Sequence, residues 1–165
     1  MTFLRGIGAA IAAGILILSA SGCKGEADAK GNAAAAAAAK VAVTIQSMNG
    51  PHVFNVEVAR SPAEQERGLM YRTDIPQDGG MLFAPYPADG GAPREASFWM
   101  KNTPTPLDII FIRPDGTIAR IAENTIPQST DTVDSGEPVA AVLEILGGKS
   151  AELGISEGDK VSWPR

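Results

Sequence analysis

A single cysteine, Cys23, occurs in the 165 residues, and everything after it is without a thiol. The chain beyond that point can form no disulfide, offer no cysteine ligand to a metal and attack nothing with a cysteine nucleophile. Any fold there has to rest on its hydrophobic core. Roughly 125 residues is enough for one domain to manage this.

The residues before Cys23 suggest its use. Arg5 supplies a positive start, Ile7 to Leu18 form an apolar run broken only by small residues, and Ala20-Ser21-Gly22 lead up to the cysteine. The run is about a dozen residues, short of the roughly 18 needed to cross a bilayer, so 1–22 reads as a secretory signal peptide. A lone cysteine directly after such a signal resembles the lipobox of bacterial lipoproteins. That resemblance implies that Cys23 becomes the lipid-modified N-terminus; the competing reading is an ordinary signal with an incidental cysteine. The expectation is an exported chain in a bacterial cell envelope, periplasmic or surface-facing, with the membrane as partner through lipid on Cys23. Residues 23–40 contain an alanine run and no large apolar side chain, so they suit a tether and cannot join a core. The formal charge of −5, with no basic run, argues against nucleic acid as a partner.

From Val41 the pattern changes, and 41–165 reads as one domain. VAVTIQ and VFNVEVA (Val53 to Ala59) alternate apolar with polar or small residues, which predicts a hairpin turning at Asn49-Gly50-Pro51. Ser61-Pro62-Ala63-Glu64 has the residues of a capping box with proline at the first helical position, predicting a helix to about Tyr71. MLFA before Pro85, Phe98 to Met100, Asp108 to Ile112, TIARIAE, Val139 to Leu146 and KVSW read as further strands. RPDG (113–116) reads as a tight turn, Gly147-Gly148 as the start of a second short helix, and 86–96 and 123–138 as loops. The expected class is mainly β, a single compact sandwich or open barrel with two short helices.

GLMYR (68–72), GMLF (80–83), FWMKNT (98–103), PLDIIFI (106–112), VLEI (142–145) and GD (158–159) follow one another in an order that resembles the family catalogued as domain of unknown function 192. The resemblance spans essentially 41–163. It implies a compact β-rich domain, frequently exported in bacteria, and carries no activity and no catalytic residue with it.

The residues themselves suggest a surface. In a strand, Phe98 and Met100 would share a core face while Trp99 and Lys101 share the other. On one reading Trp99 plugs an end of the fold, with Asn102 and Thr103 binding backbone at the strand break. On the other, Trp99 is a platform for a flat ligand face, with Lys101 and Asn102 as polar fingers, an arrangement suited to carbohydrate. Asp108 shares a face with Ile110 and Ile112, and Glu144 interrupts VAAVLEIL. Acids in such apolar runs need partners, and Arg67, Arg72 and Lys101 are the expected ones.

The leading expectation is a binding domain without catalysis, for a small ligand, glycan or envelope protein, on a surface built from Met70, Arg72, Trp99, Lys101, Asn102, Asp108 and Glu144. A first alternative is a hydrolase of envelope carbohydrate, with Asp108 and Glu144 as its acids. A second leaves these residues structural and places function in loops 86–96 and 123–138. No cofactor is expected. No metal is expected either: His52 falls in a predicted turn, and Met70, Met81 and Met100 sit in apolar segments where methionine ordinarily fills gaps.

Overall fold

In the computed structural model, which describes residues 40–164, the alternation of the first segments yields antiparallel strands β1 (Val41–Ser47) and β2 (Gly50–Ala59). Val43, Ile45, Phe54 and Val56 are buried, while Ala42, Gln46, Val53 and Asn55 between them are exposed. The turn is tighter than expected: Met48 and Asn49 make it, and Gly50 and Pro51 already pair with β1. His52 is therefore a strand residue, half-buried, with Nε2 2.9 Å from Ser47 Oγ. The expected signal peptide 1–22, the expected lipidation site Cys23 and the expected linker up to residue 39 lie outside the described residues.

Helix α1 (Pro62–Arg67) has the expected cap. Ser61 Oγ accepts from the Glu64 N–H, and the Glu64 carboxylate accepts from the Ser61 N–H. The helix ends before Tyr71, because Gly68 turns the chain with φ of 47°. The remaining elements are β3 (Met81–Phe83), β4 (Arg94–Phe98), β5 (Leu107–Ile112), β6 (Ile118–Ala122), β7 (Val133–Val139), β8 (Ala141–Leu146), α2 (Lys149–Leu153) and β9 (Lys160–Ser162).

Seven strands form one sheet in the order β6-β5-β8-β3-β2-β1-β9, and β4 and β7 form a separate two-stranded ribbon. Within the large sheet only β2 and β3 run parallel, and α1 with the 68–80 segment supplies the crossover that such a pair requires. The two ends of the sheet meet. Thr117 bridges Lys160, the Ile118 N–H donates to the Asp159 carbonyl at 2.9 Å, and the Val161 N–H donates to the Gly116 carbonyl at 2.8 Å. The result is a nearly closed barrel.

Two apolar layers follow from this geometry. Residues such as Val43, Phe54, Leu82, Ile110 and Leu143 fill the barrel interior. Phe83, Ile109, Phe111 and Val142 point to the outside of the same sheet, where Ala96 and Val139 of the ribbon and Leu69 and Met100 of the adjoining loops cover them. Strands β5 and β8 are thus covered on both sides, and all six residues of LDIIFI are buried.

The ribbon accounts for most departures from expectation. The 86–96 and 123–138 segments are loops only in part, because Arg94–Ala96 belong to β4 and Val133–Pro138 to β7. The β7 sequence VDSGEPV has turn-like composition, and an edge strand tolerates its Gly136 and Pro138. The strand expected at 98–100 ends at Phe98, so Trp99 and Met100 lie beyond it. The apolar run 139–146 breaks at Ala140, whose N–H donates to Ile112 and whose carbonyl accepts from Tyr86, both at 2.9 Å. There the chain passes from the ribbon to the barrel.

Candidate functional site

Asp108 and Glu144, the two acids set in apolar strands, resolve in opposite ways. Asp108 is completely buried and accepts three backbone N–H groups, from Asn124 (2.7 Å) and Gly148 (2.8 Å) on Oδ1 and from Ser150 (2.7 Å) on Oδ2. It fastens the 124 loop and the first turn of α2, whose N-cap Gly148 has no side chain to do so. No arginine or lysine pairs with it among the described residues, contrary to expectation; three directed donors satisfy a buried carboxylate without a cation.

Glu144 sits in β8 between Met81 of β3 and Ile109 of β5, facing the outer layer. It is 5 % exposed, and its Oε2 is fully buried with no hydrogen-bond partner. Burial pushes its pKa up to about 8, so it is mainly protonated at neutral pH. The expected ion pair is absent here too. Arg72 turns instead to Glu57 (3.1 Å) and Asp74 (2.8 Å), and Lys101 places Nζ 4.9 Å from the centre of the Trp99 ring. Arg67 forms no ion pair among the described residues.

Glu144 lines a pocket of about 300 Å³. Phe83, Tyr86, Phe98 and Trp99 give it aromatic walls, and Gly68 to Met70 form the other side. Phe98 is held in place by edge-to-face contacts with Phe83 and Phe111, at 5.1 and 6.0 Å between ring centres. Gly68 is the notable neighbour: a Cβ there would stand 3.1 Å from Phe83 Cζ and 3.7 Å from Glu144 Oε2. Its bare backbone, with φ of 47°, lets the crossover pack closely against Phe83 and the Glu144 carboxyl. Gly80 protects the strand beneath, since a Cβ on it would collide with the Glu144 carbonyl oxygen.

Of the seven residues read from the sequence as a surface, Met70, Trp99 and Glu144 line this pocket, whereas Arg72, Lys101, Asn102 and Asp108 do not. Trp99 is 44 % exposed, so it is not a buried plug. Asn102 has φ of 58° and its carbonyl accepts from the Tyr71 N–H at 2.7 Å. Its side chain makes no hydrogen bond among the described residues, so backbone conformation, and not the amide, is its contribution to the strand break. Thr103 does bind backbone there, its Oγ1 donating to the Lys101 carbonyl. Gly68, Tyr86 and Phe98 were not legible as site residues. Gly68 read as part of a helix and Phe98 as core, and only the crossover and the ribbon bring them together.

A second pocket, about 630 Å³, opens between Arg60, Arg113 and Trp163. Among the described residues there is no group of three or more His, Cys, Asp or Glu placed to hold a metal ion, and no helix long and apolar enough to cross a membrane.

These features define a small, nearly closed β-barrel with a ribbon on its outer face and one unpartnered acid in an aromatic-walled pocket. Residues 43–163 match the domain of unknown function 192, described as an uncharacterised ACR, and the chain belongs to that family. Crystal structures similar to it include two from bacteria. One is a protein of unknown function from Novosphingobium aromaticivorans, 46 % identical, with a TM-score of 0.70 over 75 % of this chain and 85 % of that one. The other is a Sinorhizobium meliloti protein named as a candidate transcription regulator, 44 % identical, with a TM-score of 0.70 over 76 % of this chain and 95 % of that one. No curated protein matches the chain.

Proposed function

We propose that this protein is a bacterial envelope lipoprotein, held at the membrane by lipid on Cys23, whose domain binds a small ligand, glycan or envelope partner in the pocket over Glu144 without catalysing a reaction. The observation that carries this reading is the buried Glu144 carboxyl with no donor of its own. An unsatisfied buried polar group costs about 1–3 kcal/mol. A fold that gathers three donors around Asp108 and none around Glu144 has left the second acid for something outside the chain. The half-exposed Trp99 adds a flat apolar face to the same space.

The hydrolase alternative needs Asp108 and Glu144 to flank one bond. They project from opposite faces of the sheet, and both Asp108 oxygens are engaged by backbone, so the pair offers no such geometry. The regulator name belongs to the Sinorhizobium protein. In this chain the formal charge of −5 supports a partner other than nucleic acid.

The test is a nuclear magnetic resonance titration of the isotope-labelled protein with envelope saccharides, small amines and short peptides. A ligand of the pocket should shift Gly68, Ser97 and the Trp99 indole N–H together. Perturbations confined to 86–93 and 123–132 would instead move the function to the loops, the third reading.

A further inference from the structure

We infer that the group taken up by the pocket over Glu144 is a cation, a primary ammonium or guanidinium on a small organic ligand. This rests on the pocket being a binding site and names the chemistry that it selects.

The first argument is the count of donors. No group of the described residues hydrogen-bonds to the Glu144 carboxyl, and burial raises its pKa. A neutral acid has one O–H to give and leaves its other oxygen unsatisfied. An ionised one has about four acceptor sites; an ammonium brings three donors and a guanidinium five. A donor-rich cation therefore fills the acceptor sites of the ionised acid and compensates its charge, whereas sugar hydroxyls serve only its neutral form.

The second argument is the wall. Aromatic ring faces attract cations, and four rings, Phe83, Tyr86, Phe98 and Trp99, line the pocket; Lys101 Nζ, 4.9 Å from the Trp99 centre, and Arg94 Cζ, 5.9 Å from the Tyr86 centre, take up one cation each on two of them. The third is position. Glu144 lines the pocket and keeps 5 % of its surface open to it, so a small head group can meet the carboxyl from that side. The other titratable or charged groups bordering the pocket are Glu66 and Arg67 on α1, which oppose each other in sign, Tyr86, and the two cations at its rim, Arg94 at the Tyr86 ring and Lys101 at the Trp99 ring. The register neighbours of Glu144 on β3 and β5, Met81 and Ile109, carry no charge.

The exchange balances simply. The protonated acid meets the ammonium, the carboxyl O–H proton leaves to solvent, and the carboxylate and ammonium remain as a pair. Below pH 8, where Glu144 is protonated, uptake of a cation thus releases a proton.

Isothermal titration of the purified protein with n-butylamine, n-butylguanidine and the uncharged 1-butanol tests this, between pH 6 and 9 and in buffers of different ionisation enthalpy. The cations should bind at least about tenfold more tightly than 1-butanol at pH 8. Their affinity should rise by about tenfold per pH unit below 8 and level off above it, with about one proton released per ligand at pH 7. Glu144→Gln should lose at least about tenfold in cation affinity; should that variant not fold, the pH slope and proton count of the unaltered protein decide alone. Equal binding of 1-butanol, or affinity that falls above pH 8, would overturn the cation while leaving the pocket as a binding site. Failure of all three probes to bind at millimolar concentration, with no shift at Trp99, would sink both.

Discussion

Asp108 and Glu144 are one register step apart on neighbouring strands, Asp108 opposite Ile145 and Glu144 opposite Ile109, and their side chains leave the sheet on opposite faces. The period of two in a strand makes this separation unavoidable. It also gives two acids of similar burial opposite fates. One is a fastener between β5 and α2, satisfied by backbone; the other is left unsatisfied beside a pocket. Their substitutions should therefore behave differently.

Asp108→Ala should destabilise the fold by about 3 kcal/mol or more, because it strands several buried N–H donors at once. Asp108→Asn should cost less, since its one carbonyl oxygen can still serve Asn124 and Gly148 while its amide opposes Ser150. Urea denaturation measures both. An alanine variant within about 0.5 kcal/mol of the parent would show that water replaces the carboxylate.

Glu144 should make stability fall as pH rises. Its folded pKa of about 8 lies above the ordinary 4.5, so across that window the folded chain holds a proton that the unfolded chain gives up. The loss should approach about 1.4 kcal/mol per pH unit and cease above the folded pKa. Glu144→Gln should abolish this component and be the more stable protein at alkaline pH, as no cation is left stranded. The measurement is the difference between parent and variant denaturation curves from pH 5 to 9. A flat difference would mean that Glu144 is ionised and solvated.

Asn102→Ala should cost about 1 kcal/mol, the penalty of a Cβ-bearing residue in the left-handed region, whereas Asn102→Gly should stay within about 0.5 kcal/mol of the parent. Thermal or chemical denaturation of the pair separates backbone from side chain. Equal losses in both would restore a hydrogen-bonding role for the amide.

If Cys23 carries the proposed lipid, Cys23→Ser should leave the domain folded and release it from membranes, since the proposed acceptor is lost while the core is untouched. Fractionation after a high-salt wash, which removes electrostatic association, gives the answer. A variant still in the pellet would exclude the lipid anchor.

The parts of this fold legible from sequence are those decided locally. The alternation of Val41 to Ala59 and the Ser61–Glu64 cap depend on neighbours in the chain and appear as read. LDIIFI announced a strand, but its burial on both faces depends on the ribbon, and VDSGEPV concealed the ribbon behind turn residues. Recognition of the family motifs placed the domain at 41–163 without indicating a site. The isolation of Glu144 was the least legible feature of all. Whether Arg67, Arg72 or Lys101 reaches it is decided by where Gly68, the crossover and the Trp99 turn direct them, and those are contacts between distant segments.

The meeting of β6 with β9 has a consequence for the protein in a crowd. An open seven-stranded sheet would present two rows of unpaired backbone groups, a template for assembly of another copy. The bridge from Thr117 to Lys160 narrows that seam, the Ile121 N–H beyond it turns to the Glu157 carboxylate, and on the short ribbon Arg94, Glu95 and Pro138 make poor templates. Copies concentrated on a surface can then collide side by side without growing into one another's sheets.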